Sequence, residues 1–88
     1  MKPVVFSQHA LDNTGDRGAT REEVEEAIRL GERIPAKQGR IAFRKNFPFH
    51  STWKGKQYET KQVMPIVVEE PEGLVVVTVY VFFIGGAQ

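Results

Sequence analysis

The chain predicts a two-layer α+β domain, with two N-terminal helices packed on one face of an antiparallel sheet in the order β-α-α-β-β-β. Three observations predict it. Thr20 opens a segment whose small and apolar positions, Val24, Ala27, Ile28 and Gly31, follow the i, i+3, i+4, i+7 spacing of a one-sided helix. After Gly39 the period falls to two, with Ile41 and Phe43 on one face and Arg40, Ala42 and Arg44 on the other. The chain then runs from Leu74 to Ile84 as an apolar stretch broken only by Thr78 and Tyr80. Eighty-eight residues make one domain, spanning 1–88.

Each element follows in order. Val4, Val5 and Phe6 read as a short first strand. Ser7 is an N-cap for a helix reaching about residue 14, ended by Gly15 and Gly18. The second helix begins with the capping box Thr20-Arg21-Glu22-Glu23, carries Glu22 and Glu23 in its first turn, and stops at Gly31 ahead of Pro35. A strand from Arg40 is interrupted by Pro48, and Lys54-Gly55 reads as a turn. A long strand from about Lys56 to Val68 contains Pro65, which predicts an edge position or a bulge. Glu69 to Gly73 is a polar turn. In the last strand Val75, Val77, Val79, Val81 and Phe83 form one face; Leu74, Val76, Thr78, Tyr80, Phe82 and Ile84 form the other. A strand so apolar on both faces is expected to be central or covered by a second subunit.

Charge is segregated along the chain. Residues 1–36 carry five cations and seven acids, residues 37–61 seven cations and one acid, and residues 62–88 three acids and no cation; together they sum to +1. The stretch 40–61, RIAFRKNFPFHSTWKGKQYETK, also holds five rings: Phe43, Phe47, Phe49, Trp53 and Tyr58. Cations neutralise phosphate and rings stack on unpaired bases, so this pattern suits single-stranded nucleic acid. Its plainer reading makes Phe43 and Phe47 core and the cations a solvated face. There is no cysteine, and the two histidines have no carboxylate beside them at ligand spacing, so neither a metal nor a cofactor is expected. No Walker loop, dinucleotide fingerprint or nucleophile elbow is present. The N-terminus does not read as a signal peptide and no apolar run approaches the ~20 residues of a membrane helix, so a cytoplasmic protein with no membrane partner is expected.

Several polar residues could carry chemistry. His9 and His50 could serve as general acid or base near neutral pH, although a residue at a helix start such as His9 more often bonds locally. Arg17 could anchor its turn through Asp16 or an acid of the second helix, or present its fork to a phosphate. The Tyr80 hydroxyl is the polar handle of the last strand.

The segments FSQHA and DRGATREEVEEAI, with the ending LVVVTVYVF, resemble an uncharacterised bacterial family of small domains. The residues that carry the resemblance are His9-Ala10, Arg17-Gly18 and Val77-Thr78-Val79-Tyr80. That family is distantly similar to the BrnT and RelE-like toxins, metal-independent ribonucleases of toxin–antitoxin systems with two helices on an antiparallel sheet. The resemblance implies a RelE-like fold, RNA held across the sheet, and an antitoxin-like protein as a partner. The chain departs from the family pattern at Asn13, Thr14 and Gly15, and has Ala19 after the turn glycine.

The expected function is accordingly RNA binding, with metal-independent RNA cleavage as its catalytic form. In cleavage His9 would be acid or base with His50 or Tyr80 as its counterpart, and Arg17 and Arg44 would steady the phosphate. Arg40, Lys45, Lys54 and Lys56 would bind the backbone, and Trp53 would stack on a base. The alternative is a non-catalytic interaction module that forms a homodimer or pairs with another chain through strand 74–84 and the rings near Trp53. Sequence-specific DNA binding is weaker, because the helix of residues 21–31 is acid-rich on its exposed side.

Overall fold

A computed structural model describes residues 2–86. Two helices lie on one side of a five-stranded mixed sheet, giving an α+β domain. In chain order the elements are β1 (Val4–Phe6), α1 (Gln8–Asp16), α2 (Arg21–Leu30), β2 (Glu32–Pro35), β3 (Ile41–Trp53), β4 (Lys56–Glu70) and β5 (Gly73–Ile84), with one 3₁₀ turn at Lys37–Gly39. The strand order is β1-β5-β4-β3-β2.

Both helices start where their caps predict. The Ser7 hydroxyl accepts the Ala10 N–H at 3.0 Å. Thr20 and Glu23 complete a reciprocal box: the Thr20 hydroxyl accepts the Glu23 N–H, and Glu23 Oε1 accepts the Thr20 N–H. α1 runs to Asp16, two residues further than expected, and the Arg17 N–H closes it on the Asn13 carbonyl. α2 buries Val24, Ala27 and Ile28 on the sheet, as its spacing predicts. Gly31 ends it in extended backbone; the need for glycine is one of space, since a Cβ there would lie 2.7 Å from the Arg44 carbonyl oxygen.

The sheet differs from the expected one in three ways. First, it is mixed: β2 to β5 are antiparallel, but β1 runs parallel to β5, with Val4 beside Leu74 and Phe6 beside Val76. The chain reaches α1 directly from β1 without a hairpin, so α1 serves as part of a crossover. Second, β2 adds a strand not expected from the sequence. It is four residues long, ends in proline, and sits at the sheet edge, where a missing N–H costs no ladder bond. Third, of the two outcomes that Pro65 predicts, an edge position or a bulge, the edge position is excluded and a bulge is found beside it. β4 is the middle strand and Pro65 is fully buried. The ladder yields to it: the β3/β4 ladder skips the two pairs between Ala42↔Ile66 and Lys45↔Val63 without changing register, and the β4/β5 register shifts between Ile66 and Val67.

That register shift also corrects the faces of β5. Val67 pairs with Val76 and Ile66 with Thr78, so Val77 is the extra residue of a bulge. Alternation restarts beyond it, and Val76 and Val79 both point into the core, whereas an unbroken period assigns them to opposite faces. The core joins these valines to Val63, Val67 and Phe43 under Ala10, Val24 and Ile28. β5 is central only as far as Phe6 reaches; beyond that it has β4 on one side alone. Lys54 and Gly55, both at positive φ, make the β3–β4 turn as expected.

Candidate nucleic-acid interface

β3 alternates, and the alternation divides its side chains between the two faces of the sheet. Phe43, Lys45 and Phe47 face the helices; Arg44 and Asn46 face away from them. The basic-aromatic stretch is therefore not one surface.

On the helix side most of its groups are engaged within the protein. Phe43 is buried, and Phe47 packs against the core. Lys45 pairs with Glu26 of α2 at 3.0 Å and lies over the Phe47 ring. Lys61 is buried and pairs with Glu23 of α2 at 2.8 Å. Beyond the helices, Phe49, Trp53 and Tyr58 gather around Phe83. Trp53 stacks on Phe83 at 5.0 Å between centroids, and it packs so closely on Gly18 of the α1–α2 turn that a Cβ there would come within 2.8 Å of the ring. Lys54 lies over the Trp53 ring, and Lys56 is exposed beside it at the hairpin tip. The bulge between Pro48 and Ser51 takes His50 to positive φ on the surface.

The other face carries no helix. Register places its side chains in rows. Tyr80 is beside Met64, with Arg44 on the far side of Met64; Phe82 is beside Gln62 and Asn46; Ile84 is beside Thr60 and Pro48. Tyr80, Phe82 and Ile84 remain 43%, 44% and 45% exposed. The Tyr80 and Phe82 rings are near-parallel, 18° apart at 6.5 Å. The Gln62 amide donates to Asn46 Oδ1 at 2.9 Å. Arg44 is held by an exposed ion pair with Glu32, an interaction worth only about 0–1 kcal/mol and easily exchanged for a phosphate.

Arg17 joins this face from the edge. It makes neither of the acid contacts its neighbours suggested. Its Nη1 donates to the Val79 carbonyl at 2.8 Å, and its guanidinium lies 5.3 Å from the Tyr80 ring centre. Of the five residues expected to act in catalysis, Arg17, Arg44 and Tyr80 therefore converge, the last two about 10 Å apart across two strand spacings. His9 lies exposed in the first turn of α1, about 12 Å along the helix from Arg17. His50 lies past the Pro48 row, about 16 Å along the sheet from Tyr80 and about 10 Å across it. Arg40 lies just before β3, at the end of the 3₁₀ turn; Lys45 faces the helices, and Trp53, Lys54 and Lys56 form a separate basic tip.

Phe82 and the Gln62–Asn46 pair are not singled out by the sequence. A signal is present, since Phe82 shares the period-two face of Tyr80, but an apolar strand gives no sign of which face stays bare. Among the described residues no group of three His, Cys, Asp or Glu side chains gathers as a metal site, and no helix is long and apolar enough to cross a membrane. No protein-family model matches the chain, and no curated protein or solved structure matches it either.

Proposed function

We propose that this chain is a RelE/BrnT-like domain that binds single-stranded RNA across the open face of its sheet. One observation carries the reading: two adjacent rings, Tyr80 and Phe82, stand exposed on a face without helices, with Arg17 over the first and Arg44 in the same row. Stacked bases contribute about 1–3 kcal/mol each on such rings. The arginines supply the charge that phosphate requires, and Arg40 adds to it from the turn before β3. A toxin–antitoxin setting, in which a partner protein covers this face, belongs to the same reading.

In the catalytic form, the RNA 2′-oxygen loses its proton and attacks the adjacent phosphorus. The bond to the 5′-oxygen breaks, that oxygen takes up a proton, and a 2′,3′-cyclic phosphate and a 5′-hydroxyl remain. In this reading solvent takes the 2′-hydroxyl proton, the Tyr80 hydroxyl gives its proton to the leaving 5′-oxygen and is reprotonated from solvent, and Arg17 and Arg44 steady the phosphate. The wide separation of His9 and His50 gives no support to a histidine pair.

The test is binding of a short fluorescent single-stranded RNA at low and moderate salt, with the same samples run on a gel. Wild-type binding is expected to weaken steeply with salt, and Tyr80→Ala/Phe82→Ala to lose at least ~10-fold in affinity while folding normally. Absence of binding at low salt, or a double variant that binds like wild type, overturns the proposal. Cleavage lost in Tyr80→Phe would assign the chemistry; binding without cleavage would leave a non-catalytic RNA-binding module. The second reading, an interaction or dimerisation module, is favoured by a different observation, the uncharged outer edge of β5.

A further inference from the structure

β1, α1 and the α1 caps cover the outer side of β5 as far as Val79, through Ser7 to the Val77 carbonyl, Asn13 to Thr78 and Arg17 to the Val79 carbonyl; beyond them, from Tyr80 to Ile84, β5 contains no charged residue and no proline. The outward backbone groups of this edge can be identified. Arg17 donates to the Val79 carbonyl from outside the sheet, so Val79 faces outward. Alternation then turns the N–H and C=O groups of Val81 and Phe83 outward too, while Tyr80, Phe82 and Ile84 bond toward β4. Among the described residues no hydrogen bond reaches those four outward groups from beyond β4. A bare, uncharged, β-branched and aromatic edge is a template for another strand.

We propose that a second copy of this chain supplies that strand, through an antiparallel β5–β5 pairing with its two-fold axis at Phe82. The strand is self-complementary about this point. Val81 then lies opposite the partner's Phe83, and both present outward N–H and C=O groups, so the two symmetric pairs make four ladder bonds. Phe82 meets the partner's Phe82 at a non-hydrogen-bonded position, where side chains approach most closely. Tyr80 meets the partner's Ile84. The three large apolar side chains left exposed on β5 thus become one continuous strip, and the two sheets become a single ten-stranded one.

The pairing needs only residues within β5, which ends at Ile84, before the chain turns at Gly85. The inference rests on the edge and not on RNA binding.

Sedimentation equilibrium of the full chain without RNA tests it. The wild type is expected at twice its 10.0 kDa chain mass in the micromolar range. Phe82→Glu sets two like charges against each other on the axis and should weaken association by about 100-fold or more. Val81→Pro removes only an outward N–H, leaves the β4 ladder intact, and should also give monomer. Because it leaves Tyr80 and Phe82 in place, its RNA binding separates failure of the dimer from failure of the RNA reading. Circular dichroism confirms that each variant is folded. A wild type that stays monomeric at hundreds of micromolar overturns the proposal. So does a folded Phe82→Glu or Val81→Pro chain that dimerises like wild type.

Discussion

Replacing Lys61 with methionine should destabilise the domain by about 2–3 kcal/mol. Lys61 stands on β4 under the α1–α2 turn with its side chain only 8% exposed. Its ammonium pairs with Glu23 at 2.8 Å and donates to the Gly18 carbonyl at 2.9 Å. Methionine keeps the apolar stem and withdraws both donors. A hydrogen bond to a charged group contributes about 1.5–3 kcal/mol, and breaking a fully buried pair costs about 3–5 kcal/mol. Glu23 is partly solvated and still accepts the Thr20 N–H, so the loss falls below that upper range. In a domain of this size 2–3 kcal/mol lowers Tm by roughly 10–20 °C. Urea unfolding followed by Trp53 fluorescence is the assay, because the only tryptophan packs against Gly18 at the same turn. A Lys61→Met/Glu23→Gln cycle should return a coupling of about 1–2 kcal/mol, glutamine retaining an acceptor for the cap. A loss under about 0.5 kcal/mol, or no coupling, would show that the pair behaves like an exposed one and would refute a structural role for it.

Two further outcomes are expected. Gly31→Ala should cost more than about 2 kcal/mol, because the new methyl meets backbone carbonyls of Ala27 and Arg44 that cannot swing aside; an unchanged thermal midpoint would contradict this. Lys54→Ala/Lys56→Ala should leave stability unchanged, since the pair sits at the exposed hairpin tip, and should flatten the salt dependence of RNA binding by roughly one unit of slope for each phosphate left without its cation. An unaltered slope would place the RNA away from that tip.

Local signals carry well from sequence to structure. The Thr20 box, the Ser7 cap, the buried stripe of α2 and the Lys54-Gly55 turn each depend on a few neighbouring residues, and each forms where those residues stand. What is not legible depends on the third dimension. The parallel pairing of β1 is a matter of where α1 delivers the chain, and nothing in Val4-Val5-Phe6 encodes direction. Pro65 fits a central strand because a bulge and a gap in the ladder absorb its missing N–H, and period counting cannot see a bulge that lies in its partner, at Val77. For the candidate site, residue type alone points to Tyr80, Arg17 and Arg44, but their convergence is a product of register. Phe82 escapes notice because in the sequence it resembles any other core aromatic.

The segregation of charge along the chain has a spatial counterpart that changes its meaning. Acids of residues 22–32 pair with cations of residues 44–61, two of the pairs between α2 and the sheet and one between neighbouring strands on the open face. Glu23 meets Lys61, Glu26 meets Lys45, and Glu32 meets Arg44. Three of the seven cations in the basic stretch are thus balanced from the acidic stretch that precedes it. The two helix–sheet pairs, Glu26–Lys45 and Glu23–Lys61, join α2 to β3 and β4. A run of lysines and arginines therefore does not by itself mark a nucleic-acid surface here. What favours RNA is narrower: Arg17 and Arg44, the one bonded at the sheet edge and the other loosely paired, flank exposed rings on the face that the helices leave open. The same bareness leaves the outer edge of β5 free, and a domain joined there to its copy would set two such faces side by side in one continuous sheet.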